Sequence, residues 1–598
     1  MSTDRHEVRQ PDPAEVADAM GRIAEQTQRL TRDFLERQKD EEAPASADPL
    51  NIGSAFFELT RRLMANPAQL VEAQMDFWRA QMSVWQSATS RALGGDVEPA
   101  ARPARDDRRF RDPAWQDNLV FDYIKQSYLL SARWLLNTVH DVEGLDRLDA
   151  RKVDFYTRQF VDAMSPSNFL MTNPEVLRTT VESGGQNLVN GLGNLLSDLE
   201  RGKGRLAISM TDTDAFEVGG NIATSPGSVV WQNELMQLVQ YSPTTPTVRK
   251  RPLLIVPPWI NKFYILDLRE RNSFIRWAVS QGLTVFVISW VNPDGDLADT
   301  SFADYVINGP LAALDAIEQA TGEREVNAIG YCIGGTLMAA TLARMAATGD
   351  DRIASITFFT TMVDFEEAGD LGVFVDEQQL EALEERMSKD GYLEGSDMAT
   401  TFNMLRANDL IWSFVVNNYL LGREPFPFDL LYWNSDSTRM PSAMHSYYLR
   451  EMYLANRLIE PEALEIDGVG VDLSRITIPV FILSTKEDHI APWMSTYRAT
   501  HIYGGPVRFC LAESGHIAGV INPPADPPKY GYYLNRRKPA SPEKWFEGAD
   551  RHDGSWWPEW RRWLSRHAGA KVPARTPGDG ALPVIENAPG SYVKASSS

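Results

Sequence analysis

The sequence predicts an α/β fold, a mostly parallel sheet with crossover helices, preceded by an all-helical domain. Beyond about residue 223, short β-branched apolar runs alternate with helical segments, the pattern of strands buried on both faces and joined by helices. Before it, from about residue 50, apolar residues recur at helical spacing, as at Leu119, Tyr123, Tyr128, Leu129, Trp134 and Leu135. The length of 598 residues exceeds what one growing core accommodates, so two or more folding units are expected.

The division read from these textures is a mostly disordered, charged segment at 1–49 with an amphipathic stretch at 14–38, a helical domain at 50–222, and a catalytic α/β domain at 223–598. Strands are predicted at 253–256, 284–290, 326–329, 354–360, 480–484 and 507–511. Between the fourth and fifth, residues 365–453 form a helical insertion rich in Trp, Tyr and Phe, positioned to serve as a lid.

Composition narrows the function classes. Apolar residues make up 43% of the chain and aromatics 10%, with 16 Trp, enough for well-built cores. No apolar run reaches 18 residues and the start is charged, so neither a transmembrane segment nor a signal peptide is expected and the address reads as cytoplasmic. Two cysteines provide neither a disulfide framework nor a four-ligand zinc site, and no metal is expected. A net charge of −22 argues against nucleic acid as a partner. The basic cluster Arg536, Arg537 and Lys538 reads as a solvated charge run rather than a patch for an anionic substrate.

Gly330-Tyr331-Cys332-Ile333-Gly334 follows a predicted strand and opens a helix. This is the nucleophile elbow of an α/β-hydrolase fold with Cys in place of Ser, flanked two positions either side by the small residues the turn demands. A thiol there sits at a helix N-terminus, where thiolate is favoured. In this fold the acid and the His follow the nucleophile in chain order. Asp488, in the polar loop after strand 480–484, is the expected acid, and His516, after strand 507–511, the expected base. The oxyanion hole needs the amide after the nucleophile, that of Ile333, and one from the loop after the first strand, near Trp259 or Ile260, with Ile260 taken as the donor. Cys510 falls inside the last strand and reads as a packing residue.

The strings PPWINKFYILDL at 257–268, GYCIGG at 330–335, NDLIW at 408–412, PFDLLYWN at 427–434, EDHIAPW at 487–493, SGHIAGVINPP at 514–524 and APGSYVK at 588–594 together resemble the polyhydroxyalkanoate synthase family. The likeness runs from about residue 112 onward. It places that family's catalytic Cys, Asp and His on Cys332, Asp488 and His516, the residues already chosen on physical grounds. The resemblance implies the single-subunit, short-chain class (class I). Its members polymerise (R)-3-hydroxyacyl-coenzyme A, chiefly 3-hydroxybutyryl-CoA, through a Cys-bound acyl group. Coenzyme A is carried in on the substrate and released, so no separate cofactor is implied. A homodimer on the surface of polyester granules is implied as well.

Arg406, Asn408 and Trp433 in the insertion are candidates for substrate or entry-path contacts, with core packing the competing role for Trp433. His489 is expected to brace the acid loop, and Asp267 either to order the oxyanion loop or to cap a helix. The same triad would also serve a Cys-dependent thioesterase or polyester depolymerase, with water as acceptor. A structural granule coat protein with an inactive hydrolase fold is the reading from a different class, and the intact triad speaks against it.

Overall fold

The computed structural model describes residues 52–595 apart from Asn66, Asp96, Asp106, Asp141 and Glu143, together with Gly21, Glu25, Gln26 and Arg29. The expectations for the first 49 residues, disorder and an amphipathic stretch, lie almost entirely outside the described residues. Two compact units emerge. One comprises Met1–Asp212 with Thr401–Pro427, the other Thr213–Thr400 with Phe428–Ser598.

The first unit is helical, as its periodicity predicts. Its main helices are α1 (Ile52–Ala65), α2 (Pro67–Ala92), α3 (Leu119–His140), α4 (Arg147–Ala163) and α5 (Gln186–Arg201). Asp146 caps α4 by accepting from the Leu148 amide at 2.9 Å. Helix α2 turns one face to α3. Val84 is buried there, Phe77 meets Trp134 with ring centroids 4.9 Å apart, and Trp134 Nε1 donates to the Ala73 carbonyl at 2.9 Å. The buried Asp122 carboxylate accepts from Lys125 Nζ at 2.9 Å and Gln126 Nε2 at 2.7 Å and pairs with Arg91, so its charge is compensated.

The insertion does not stay in one piece. Its middle, Thr401–Pro427, packs within the helical unit, whereas the sequence assigns the whole of 365–453 to the catalytic domain as a lid. The reason lies in α5. Gly191 presents no side chain where the Tyr419 carbonyl crosses, Asn187 Nδ2 donates to the Leu420 carbonyl at 2.7 Å, and the Tyr419 hydroxyl donates to Asp198 at 2.5 Å. The boundary between the units also falls earlier than residue 223, at Asp212 and Thr213.

The second unit is built on an eleven-stranded sheet. Its strands are β1 (Gly227–Gln232), β2 (Met236–Tyr241), β3 (Leu253–Val256), β4 (Val285–Trp290), β5 (Val326–Tyr331), β6 (Ile353–Phe359), β7 (Val480–Thr485), β8 (Val507–Ala512), β9 (Gly531–Leu534), β10 (Asp550–Asp553) and β11 (Glu586–Asn587). Spatial order is β10-β9-β8-β7-β6-β5-β3-β4-β2-β1-β11. The six central strands, β4-β3-β5-β6-β7-β8, are parallel and coincide with the six predicted, within one or two residues at each end. The outer strands pair antiparallel. Alternate residues feed two cores, one on each face: Leu254, Phe286 and Ala328 on one, Ile255, Val287 and Ile329 on the other. The second core is closed by Trp556, Trp557 and Trp560, packed around Phe274.

The antiparallel β9 bears on the basic cluster. It pairs Tyr532 with Ala512 and Leu534 with Cys510, so it runs away from the edge at which the parallel strands end. Arg536, Arg537 and Lys538 follow it toward the opposite edge and are exposed, in keeping with a solvated run.

Candidate active site

At the carboxyl edge of β5 the chain turns directly into helix α6 (Ile333–Thr348). Cys332 stands in the turn with φ 53° and ψ −124°, a conformation costly to any residue with a Cβ and held only where the surroundings over-determine it. The Cys332 amide donates to the Phe359 carbonyl at 2.9 Å, and the Cys332 carbonyl accepts from the Gly335 and Thr336 amides at 2.8 and 3.2 Å. A Cβ at Gly330 would meet the backbone of Gly335, and one at Gly334 the carbonyls of Val256 and Pro257. The two glycines thus let strand, helix and the loop after β3 close on the thiol. Among the described residues, the Ile333 amide has no acceptor, as an oxyanion donor requires.

The acid and the base lie on adjacent loops sewn together by backbone bonds, Lys486 N to Ala512 O at 2.8 Å and Glu487 N to Ser514 O at 3.0 Å. Asp488 is buried and accepts from the Ile490 and Ala491 amides at 3.0 and 2.9 Å, from Thr485 Oγ1 at 3.0 Å and from His516 Nδ1 at 2.8 Å. Those donors compensate a carboxylate removed from water. The pairing at Nδ1 leaves Nε2 of His516 for the Cys332 thiol. The turn carrying His516 is fixed from behind, since Trp556 Nε1 donates to the Gly519 carbonyl at 2.9 Å and Trp557 Nε1 to the Val520 carbonyl at 3.0 Å. Tyr331 stacks on the imidazole at 5.9 Å and its hydroxyl reaches the His516 carbonyl at 3.4 Å.

Burial alone would lower the His516 pKa. The charges of Asp488 and Cys332, and hydrogen bonds to both, outweigh it and raise the imidazole to about 10. Cys510 contrasts with Cys332. It is fully buried in β8 and burial pushes its thiol well up, away from any reactive state.

The remaining sequence candidates separate. Trp433 is buried in the α/β core and donates from Nε1 to the Lys262 carbonyl at 2.7 Å, so it packs and also holds the loop after β3. His489 is half-buried beside Asp488, its carbonyl against Gly369. Asp267 does not itself cap a helix. It accepts from the Ser225 amide at 3.1 Å and from the hydroxyls of Ser225 and Ser273, and Ser273 is the residue that caps the following helix. Arg406 and Asn408 fall in the helical unit. There Arg406 is exposed and pairs with Asp409, and Asn408 hydrogen-bonds Asp162.

Sequence reasoning missed Tyr448 and Tyr453, at the returning end of the insertion. Tyr448 is buried and Tyr453 half-buried, and both carry pKa values raised by desolvation first and by the neighbouring charge of Cys332 among the lesser causes. The aromatic density of the insertion was the signal available, but it does not say which rings reach the thiol.

Comparison with known proteins decides the family. Residues 106–278 match the family described as poly-beta-hydroxybutyrate polymerase (PhaC) N-terminus, and residues 261–517 match the alpha/beta hydrolase fold family. A poly(3-hydroxyalkanoate) polymerase of Methylorubrum extorquens is 52% identical over 91% of this chain and 91% of its own length. This chain belongs to the poly(3-hydroxyalkanoate) polymerase family. The PhaC polymerase subunits of Rhizobium meliloti and Cupriavidus necator are 50% and 44% identical, covering 98% and 88% of this chain and 95% and 89% of their own. As a member of the polymerase family the chain is a polyester-forming acyltransferase.

The raised His516 predicts a pH dependence of stability. With an ordinary value of 6.5 and about 10 in the fold, the proton stabilises the folded state; the contribution is whole below the unfolded value and lost as pH rises through about 10. Urea unfolding between pH 7 and 10.5 should show the wild type losing stability more steeply than His516→Gln. Parallel pH profiles would contradict the assignment.

Proposed function

We propose that the chain polymerises (R)-3-hydroxyacyl-coenzyme A, chiefly 3-hydroxybutyryl-CoA, with Cys332 carrying the acyl group, Asp488 and His516 as acid and base, and coenzyme A released. The observation that carries this reading is the Cys332 thiol held in a left-handed strand-to-helix turn with the Asp488–His516 pair turned to it. In the first half-reaction His516 takes the thiol proton and the sulfur attacks the thioester carbonyl. The oxyanion is received by the Ile333 amide and by Ile260, and coenzyme A leaves with the proton from His516. Exchange of thioester for thioester is nearly isoenergetic, so the bound acyl group keeps its activation. In the second, the 3-hydroxyl of another unit gives its proton to His516, attacks the Cys332 thioester, and the Cys332 sulfur departs. Asp488 orients His516 in the first half-reaction, and in the second its carboxylate is needed beside His516 to activate the incoming hydroxyl.

Water is the competing acceptor, and its use would make the enzyme a thioesterase. The buried Tyr448 and half-buried Tyr453 near the thiol favour polymerisation, because aromatic rings from the returning end of the insertion restrict water there. In this reading residues 365–400 and 428–453 keep the role of a lid.

The helical unit contributes no triad member. On α2, Val71, Met75, Trp78, Met82 and Trp85 are exposed and spaced four, three, four and three apart, one continuous apolar stripe. We assign it to the polyester surface, the insoluble product that a cytoplasmic enzyme of this kind must stay beside. A homodimer comes into the reading from the resemblance. No helix among the described residues is long and apolar enough to cross a membrane.

The central test mixes purified protein with 3-hydroxybutyryl-CoA and follows thiol release and turbidity together. Wild type should give both. Cys332→Ser should fold normally by circular dichroism and give neither, since a hydroxyl is a far weaker acid and its oxoester a poorer donor. Near-normal polymer from that variant would place the nucleophile elsewhere, and soluble 3-hydroxybutyrate in place of turbidity would identify a thioesterase.

Asp488→Asn should separate the half-reactions, with labelled acyl-enzyme accumulating while polymer falls steeply. If acylation and elongation fall together, Asp488 only orients His516 throughout. For the helical unit, Trp78→Glu/Trp85→Glu should deplete the protein from a granule pellet while helix content is kept; pelleting equal to wild type would remove α2 from that role.

A further inference from the structure

The loop at 257–262 has no regular structure of its own, yet its carbonyls are held from outside it. Trp290 Nε1 donates to Pro257 O at 2.9 Å, the Thr438 amide to Ile260 O at 3.0 Å, and the Thr438 hydroxyl to Trp259 O. In a trans peptide the carbonyl of one residue and the amide of the next point in opposite directions. Thr438, by holding the Trp259 carbonyl, therefore aims the Ile260 amide away from itself.

Thr438 is in turn anchored two residues upstream. Lys262 Nζ lies 2.6 Å from Asp436 Oδ1, in an ion pair whose lysine side chain is 5% exposed. The Tyr264 hydroxyl donates to Asp436 Oδ2 at 2.7 Å, and Lys262 Nζ donates to the Ala595 carbonyl at 2.8 Å. One ammonium thus joins the loop after β3, the root of the insertion and the last described residue of the chain. A buried charge, a shared carboxylate and a carbonyl from 333 residues away meet at this one node, which exceeds what a surface ion pair does.

We infer that Lys262 is a positioning residue for the oxyanion hole, acting through Asp436 and Thr438 on the Ile260 amide, and that the C-terminal segment at Ala595 completes this clamp. The inference rests on the proposed acyl-transfer reading and adds to it a role for residues that touch neither substrate nor thiol. An oxyanion donor acts on charge that develops in the transition state, so slackening the clamp lowers the rate of acylation and leaves substrate binding alone.

The test uses the full chain with Lys262→Met, Thr438→Val and Tyr264→Phe. The first equivalent of coenzyme A released from 3-hydroxybutyryl-CoA is timed against substrate concentration, and the nitrophenolate burst from p-nitrophenyl butyrate is timed in parallel. Lys262→Met and Thr438→Val should lower the acylation kcat by about 10- to 100-fold, less than loss of a whole donor, with KM within about twofold. Tyr264→Phe should fall severalfold. Wild-type acylation by folded Thr438→Val, or a change in KM alone, would overturn the inference, and if Lys262→Met does not fold the other two variants decide. Should wild type release no coenzyme A, the functional reading fails by itself. The ester burst then still judges the clamp, because it needs the thiol and the donors but not polymerisation.

Discussion

Around Cys332 the backbones of β5, α6 and the loop after β3 approach so closely that Gly330 and Gly334 leave no room for a side chain. That approach holds a non-glycine residue at φ 53°, and the strain persists because a six-strand parallel core on one side and a buried helix on the other give the turn no room to relax. The rest of the catalytic edge is arranged to suit it. The Asp488 and His516 loops follow β7 and β8, two and three strands along the sheet from β5, and their mutual backbone bonds place a single ring between carboxylate and sulfur.

Both units compensate charge held away from water. The Asp488 carboxylate is surrounded by two amides, a hydroxyl and an imidazole; Asp122, in the helical unit, is met by Lys125, Gln126 and Arg91. Removing one partner from such a group costs more than the group ever contributed, because the remainder is left desolvated and unpaired. These sites therefore define a unique local geometry more than they add stability.

The parallel strands were legible because burial on both faces writes a continuous apolar run, as in β3 and β4, and the triad was legible because chain order in this sheet is constrained. The outer strands were not. β2 carries Gln237 and Gln240 in a fully buried strand, and β10 reads Asp-Arg-His-Asp, so neither shows alternation or an apolar run. The division of the insertion was hidden for a different reason: what draws Thr401–Pro427 to the helical unit is hydrogen bonding by Asn187 and Tyr419 and a gap at Gly191, which hydrophobic patterning does not register. Arg406 and Asn408 belong to that segment. Trp433 packs, one of the two roles read for it, and also donates to the Lys262 carbonyl, while Asp267 binds Ser225 and Ser273, partners that no local pattern in the sequence marks.

The burial of Cys510 has a consequence for oxidative chemistry. In register across the sheet, Cys510 lies opposite Leu483, Leu483 opposite Phe359, and Phe359 opposite Tyr331, the residue before Cys332. Three strand spacings amount to about 14 Å, twice the reach of a disulfide between α-carbons. Cys332 thus has no resolving thiol in its own chain. If an oxidant converts it to the sulfenic acid, the sulfur can be returned only by a thiol arriving from solution, and with further oxidant it proceeds to the sulfinic acid.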